Sequence, residues 1–255
     1  MGFADLHIHS IYSYDGTCSI PAILKEVKKR TDLNVIAITD HDTIRGNQLA
    51  MELAPHYGLE VIPGCEVSTA DGHLLALWID RPIKPGRSLV DTALEIADQG
   101  GVCIAAHPMA RGTHSLQFDT IWKALQDTRV ALCLVGIEAF NGGLVYTRSN
   151  PLVAAVATML PIAKVGNSDA HVLPMIGCGS TEFAGTTAKD LLLALKTGKT
   201  TVRQGKGLGG FDVLKTYIPR YILRKIGWVA WNDDPQAPLK YVRLSRAIQQ
   251  SPLSG

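Results

Sequence analysis

The 255-residue chain has no apolar run near the ~20 residues that a membrane-spanning helix needs. It has no C-x-x-C pair. Its five cysteines, Cys18, Cys65, Cys103, Cys133 and Cys178, are odd in number and scattered. This argues against a disulfide framework or a thiolate zinc knuckle and makes a reducing cytoplasm the expected compartment. The opening Met1-Gly2-Phe3-Ala4-Asp5 has no basic stretch leading into an apolar one, so no signal peptide is expected. Charged residues are few, at 19 %, against 46 % hydrophobic, which excludes a disordered or coiled-coil chain. No Ser-His-Asp arrangement competes for a nucleophilic mechanism.

The net charge of +2 is too small to specify a partner, but its distribution is uneven. Residues 196–225 carry eight Lys or Arg against one Asp, which leaves the first 195 residues net acidic. An acidic body suits metal cations, and a basic segment attracts phosphate.

Apolar runs at Phe3–His7, Val35–Thr39, Leu59–Glu66, His73–Ile79, Val102–Ala106, Leu132–Ala139 and Ile162–Gly166 read as strands buried on both faces, the pattern of a parallel sheet. Helical patterns lie between several of them. Ile20–Lys29 follows the Ser19 cap and carries Pro21 in its first turn, and Leu89–Gln99 stops at Gly100-Gly101. Phe118–Gln126 and Thr187–Lys196 read as helices as well. About seven strands alternating with helices predict an α/β barrel over residues 1–205. The Gly-rich stretch from Gly205 to Gly210 reads as the boundary to a C-terminal extension, 206–255. In it, Val213–Ile226 is basic and aromatic, and the segment Leu214–Trp231 is expected to dock on the barrel through an apolar stripe, with nucleic-acid or membrane contact as the competing readings. Residues after Asp233-Asp234-Pro235 read as a loose tail.

The chemistry gathers at strand ends. His7 and His9 are two apart, so in extended chain both imidazoles face one side. Asp15 follows in a loop. His41 ends the second run, Glu66 the third and His107 the fifth, while Asp169 and His171 follow the seventh with the same spacing of two. His73 opens the fourth run, so its ring is expected to reach in from another level. Imidazole and carboxylate donors without thiolates suit Zn, Mn or Fe at a hydrolytic site. Nine candidates against the three or four ligands of one catalytic cation imply two or three divalent transition metals, with Glu66 bridging. Asp40 is read as orienting a ligand or bound water, and Arg111 as a phosphate fork. Glu138 and Asn141 end the sixth run, either as pocket lining or in structural ion pairing. His56 and His114 are expected at the surface.

Asp5-Leu6-His7-Ile8-His9-Ser10, Thr39-Asp40-His41-Asp42, Gly64-Cys65-Glu66-Val67-Ser68, His107-Pro108 and Ser168-Asp169-Ala170-His171 together resemble, in order and spacing, the motifs of the PHP (polymerase and histidinol phosphatase) family. The resemblance covers residues 1 to about 205 and implies a distorted seven-stranded (β/α) barrel of the TIM-like kind with a trinuclear metal cluster. It implies that His7, His9, Glu66 and Asp169 hold one metal, that Glu66 bridges to a second held by His73 and His107, and that Asp15, His41 and His171 hold the third. The implied activity is that of a metal-dependent phosphoric ester hydrolase, using metal-bound hydroxide on a small phosphoester. A nucleotide or oligonucleotide substrate stays open. However, the 40 residues between Glu66 and His107 leave no room for the inserted helical domain of many nucleotide-cleaving relatives. A metal-dependent C–N hydrolase and a non-catalytic metal-binding module are the alternatives.

Overall fold

The computed structural model describes residues 1–205, 209–231 and 240–249. Strands β1 (Gly2–Asp5), β2 (Val35–Ile38), β3 (Glu60–Ser68), β4 (His73–Leu77), β5 (Val102–Ala105), β6 (Leu134–Asn141), β7 (Ala163–Asn167), β8 (Gly179–Phe183) and β9 (Thr200–Gln204) form one sheet. Its order is β7-β6-β5-β4-β3-β2-β1-β8-β9. The sheet nearly closes. Thr181 on β8 both donates its hydroxyl to the Gly166 carbonyl and accepts from the Gly166 N–H of β7, and Thr200 on β9 donates to the Lys164 carbonyl. The absence of a side chain at Gly166 permits this approach, since a Cβ there would stand 2.7 Å from the Ser180 carbonyl oxygen. The barrel-like architecture is thus the expected one, with two more strands than the seven read from sequence.

The sheet is mixed rather than parallel throughout. β1–β2, β2–β3, β5–β6 and β6–β7 are parallel, whereas β4 runs antiparallel to both β3 and β5, and β8 antiparallel to β1 and β9. The few residues between β3 and β4 suffice for a hairpin, while a parallel crossover needs a dozen or more.

The helices α1 (Ile20–Arg30), α2 (Asn47–Leu53), α3 (Leu89–Asp98), α4 (Phe118–Ala124), α5 (Thr128–Cys133), α6 (Asn150–Ala157) and α7 (Ala188–Lys196) accompany the strands. In α1, Ser19 accepts from the Ala22 N–H, Lys28, Lys29 and Arg30 fill the last turn, and Ile20, Ile23, Leu24 and Val27 are buried. The run expected as one strand from Leu132 is split: Leu132 lies on α5, 78 % exposed, and β6 begins at Leu134. The five cysteines are buried and free.

Beyond the barrel lie α8 (Gly210–Lys225), β10 (Trp228–Trp231), β11 (Lys240–Arg243) and α9 (Leu244–Gln249). β10 and β11 pair antiparallel, and Ala230 exchanges backbone hydrogen bonds with Thr17 and Ser19 of the barrel. The expected docking is met at β10, where Val229, Ala230 and Trp231 are buried against the barrel, but not by the outward residues of α8. Among the described side chains of α8, Phe211, Ile218 and Ile222 are exposed, as is Ile226 just after it, while Tyr217 and Arg224 meet the barrel. The boundary placed in the Gly-rich stretch abuts residues 206–208, and the tail from Asp233-Asp234-Pro235 falls mostly outside the described residues. Among the described residues no helix is long and apolar enough to cross a membrane.

Candidate metal centre

One rim of the barrel collects the polar side chains. His7 and His9 follow β1, separated by Ile8, which bridges to Ala170 and is fully buried. The apolar residue therefore enters the core while both rings face the rim. His41 follows β2 and bridges to Glu66 near the end of β3. His107 follows β5, and Asp169 and His171 follow β7. His73 pairs in register with Ser68. Because β4 is antiparallel to β3, its first residue sits at the level where β3 ends. His73 thus lies in the same tier as the others, not a different one as expected.

Glu66 stands in the middle, 1 % exposed. Its Oε2 is 3.1 Å from His7 Nε2, 3.2 Å from His9 Nε2 and 3.3 Å from His41 Nδ1. Its Oε1 is 2.7 Å from His73 Nδ1 and 2.9 Å from His107 Nε2. Asp169 Oδ1 lies 3.2 Å from His9 Nε2 and 3.4 Å from His7 Nε2, and Asp15 Oδ2 lies 3.0 Å from His171 Nε2 and 3.5 Å from His41 Nε2. All nine candidate ligands are thus in one cluster. Four overlapping sets bring their ligand atoms within 4.8 Å of one another: His9, Asp15, His41 and His171; His7, His9 and Glu66; His7, His107 and Asp169; and His41, Glu66 and His73.

The hydrogen bonds behind the rings test whether cations fit. His7 Nδ1 is 2.9 Å from Glu138 Oε1, a carboxylate that only accepts. The Nδ1 proton belongs there, which turns the Nε2 lone pair of a neutral ring toward Glu66 and Asp169. His171 Nδ1 likewise faces the Asp169 carbonyl at 2.9 Å, turning Nε2 toward Asp15. Lone pairs opposed to carboxylates need a positive charge between them, either a proton or a metal ion. Among the described residues, His9 makes no hydrogen bond through either buried ring nitrogen, and Nδ1 of His41 and of His73 makes none. The donor set therefore fits divalent cations.

Without cations, the carboxylates favour protons on the His7 and His9 rings. Burial opposes charge on His7, but Asp169, Glu66 and Glu138 outweigh it and hold its pKa well above the usual value. Burial likewise opposes charge on His9, yet Asp169 and Glu66 raise its pKa to about 10. Burial would raise the Glu66 pKa, but His7 and His41 hold it well below the usual carboxylate range, and His7 and His9 do the same for Asp169.

Glu138 organises the back of the site. It accepts from His7 Nδ1, from the His107 N–H at 2.6 Å, and from the side-chain amides of Asn141 and Asn167 at 2.9 and 2.8 Å. Of the two readings left open for Glu138 and Asn141, the structure gives a network that orients candidate ligands. Nothing in the sequence marks Asn167, at a strand end, as aimed inward. His107 and Asp169 hold left-handed backbone, φ 26° and 53°, a strain of about 1–3 kcal/mol each that commonly accompanies functional positions.

Asp40 does not reach the cluster through its own hydrogen bonds. Its two oxygens accept from the Ser10 N–H and hydroxyl, both at 2.6 Å, so it anchors the residue next to His9. Arg111 is exposed and lines a cavity of about 690 Å³ with Arg148, Met109, Leu144 and Leu152. A smaller cavity of about 180 Å³ reaches Asp169 and His171, walled by Tyr146, Met175 and Tyr217. Tyr146 stacks on His107 at 4.5 Å, and Tyr14 on His41 at 4.8 Å. His56 is exposed as expected; His114, also exposed, has its Nε2 2.6 Å from the Thr69 carbonyl oxygen.

Comparison with known proteins places the chain in a family. Residues 5–87 match the family model of the PHP domain, and residues 147–200 match the PHP-associated model. An uncharacterized protein of Methanocaldococcus jannaschii is 36% identical over 147 residues, 54% of this chain and 81% of that one. The chain belongs to the PHP family. The two matched PHP segments carry eight of the nine candidate ligands, and His107 lies between them. Among PHP relatives, a 5′-3′ exoribonuclease of Haemophilus influenzae is 45% identical over 197 residues, which is 76% of this chain and 63% of that enzyme. A solved two-domain protein of Bacteroides vulgatus, described as containing a predicted PHP-like metal-dependent phosphoesterase, superposes with a TM-score of 0.64 at 20% identity. The match covers 94% of this chain and 75% of that one, and it shows the fold.

Proposed function

We propose that the protein hydrolyses a small phosphoester, of the nucleotide or oligonucleotide class, at a centre of two or three divalent transition-metal ions. The observation that carries this reading is Glu66: its two oxygens face different sets of imidazoles, as a carboxylate shared between cations must. His7, His9, Glu66 and Asp169 would hold one ion, His73 and His107 with Glu66 a second, and Asp15, His41 and His171 a third. Bound there, Mn, Zn or Fe ions supply Lewis acidity toward a phosphoryl oxygen and activate water.

The chain's own residues do the rest. Glu138 keeps the His7 proton on Nδ1, and Asp40 fixes Ser10 so that His9 keeps its direction. Arg111 and Arg148 place guanidinium groups in the larger cavity, where their planar donors suit a phosphate. Tyr146 and Tyr217 give the smaller cavity flat walls suited to the apolar part of a leaving group. The exoribonuclease name of the Haemophilus relative supports a nucleotide-type substrate, and the short 66–107 stretch favours a small one. Buried cysteines free of disulfides support the cytoplasm as the compartment.

The test is release of p-nitrophenol from an aryl phosphate with added Mn²⁺, before and after chelation, beside the matching aryl amide. Chelator-sensitive phosphoester turnover is expected. Turnover of the amide alone would assign the barrel to C–N hydrolysis. Metal binding with no turnover of any phosphoester, nucleotides included, would make it a non-catalytic module.

A further inference from the structure

The loop Ile11–Gly16 carries Asp15, whose carboxylate is a member of the set formed with His9, His41 and His171. Within the loop, Ser13 donates its hydroxyl to Asp15 Oδ1 at 2.6 Å. The loop backbone is gripped from outside the barrel. Arg224, near the end of α8, donates from Nε to the Gly16 carbonyl at 2.9 Å, and from Nη2 to the carbonyls of Ile11 at 3.0 Å and Ser13 at 2.7 Å. One half-buried guanidinium thus ties together three loop carbonyls that bracket Asp15.

Further contacts from the same extension meet the same region. Ile11 packs in a cluster with Val229, Trp231 and Ala247. The Tyr217 ring meets His171 edge-on at 6.0 Å. The loop has little slack, because a Cβ at Gly16 would fall 1.8 Å from the Ser10 carbonyl oxygen. By contrast, His7, Glu66, His73 and His107 sit on or beside barrel strands, and among the described residues no hydrogen bond or ring contact ties them to α8 or β10; Asp169 shares the smaller cavity with Tyr217, and His9 reaches the loop through Asp15. α8 also lies outside both matched family segments.

We infer that Arg224 is a positioning residue for one cation position, the one formed by Asp15, His41 and His171, so that the C-terminal extension governs occupancy of that position alone. This rests on the metal reading above. The geometry demands arginine: three carbonyls at different points need donors on both Nε and Nη2, and an ammonium on a flexible stem offers a single point.

The experiment counts Mn²⁺ per chain and its affinity in the full-length protein by equilibrium dialysis with elemental analysis. Hydrogen exchange of residues 11–18 follows in the chelated protein. Arg224→Gln is expected to lose one Mn²⁺ equivalent, or to bind it at least about tenfold more weakly, the scale for groups that orient ligands. The remaining equivalents stay, and exchange in the loop rises. Arg224→Lys is expected to fail in the same way, and it decides the question should the Gln variant not fold. Arg220→Gln, on the same helix but with no bond to the loop, is expected to load like the unaltered protein. A folded Arg224 variant that keeps every equivalent at unaltered affinity overturns the proposal while leaving the metal reading intact. An unaltered protein that binds no Mn²⁺ overturns both.

Discussion

His73 Nδ1 lies 2.7 Å from Glu66 Oε1 although His73 begins β4 and Glu66 stands near the end of β3. The antiparallel hairpin brings the two to one tier. Glu66 then has imidazoles on both of its oxygens, whereas among the described residues the Asp40 carboxylate accepts only from Ser10. Glu66→Gln is therefore expected to lose far more than Asp40→Asn. The Asp40 change should cost about 10- to 100-fold in metal affinity or kcat, the usual range for a group that orients ligands, and Glu66→Gln more than that. Aryl phosphate kinetics with metal analysis of both variants checks the ranking. Equal losses in kcat with metal intact in both would contradict it.

The protonated rings make metal binding and stability depend on pH in a defined direction. The His9 pKa is raised to about 10, so its contribution to the stability of the metal-free fold is complete below about 6.5 and is lost as pH rises through about 10. Glu66 and Asp169 are shifted down, so their contributions are present above the ordinary carboxylate range and are lost only in acid. Metal needs the rings deprotonated, so its affinity rises with pH. The gap in melting temperature between loaded and chelated protein should therefore widen from pH 6 to pH 9. Thermal melts in matched buffers measure it, and a constant or shrinking gap would refute the proton–metal competition.

Much of this site is legible in the sequence because it is local. The pairs His7/His9 and Asp169/His171 report their shared direction by spacing alone, and the strand ends place them on one rim. His73 was harder: its tier depends on whether β4 runs parallel or antiparallel, and an apolar run reads the same in both directions. β8 and β9 escaped notice because Thr, Ser, Glu, Arg and Gln interrupt their apolar pattern. The split at Leu132 escaped for the opposite reason, since α5 runs into β6 with no polar break. Glu138 is visible as a carboxylate in an apolar strand, but its partners His7, His107 and Asn167 are distant in sequence, and only Asn141 lies on the same strand. The grip of Arg224 on the Asp15 loop spans more than 200 residues, and no pattern of spacing signals it.

The core carries the fold independently of the centre. Phe183 on β8 is 1 % exposed and packs with Leu6, Ile62 and Leu191. Phe183→Ala is expected to cost about 3–5 kcal/mol, from lost burial plus the cavity left behind. Leu132→Ala, on the exposed face of α5, should stay within about 0.5 kcal/mol. Urea unfolding of the chelated protein separates the two, and comparable losses would contradict the placement of β8 in the barrel core.

The most direct test of the account is the metal content of the gently purified protein after incubation with Mn²⁺, Zn²⁺ and Fe²⁺ and removal of free ions. Nine clustered donors against three or four per cation predict two or three metal ions per chain. One ion per chain or fewer would contradict a multinuclear centre bridged by Glu66.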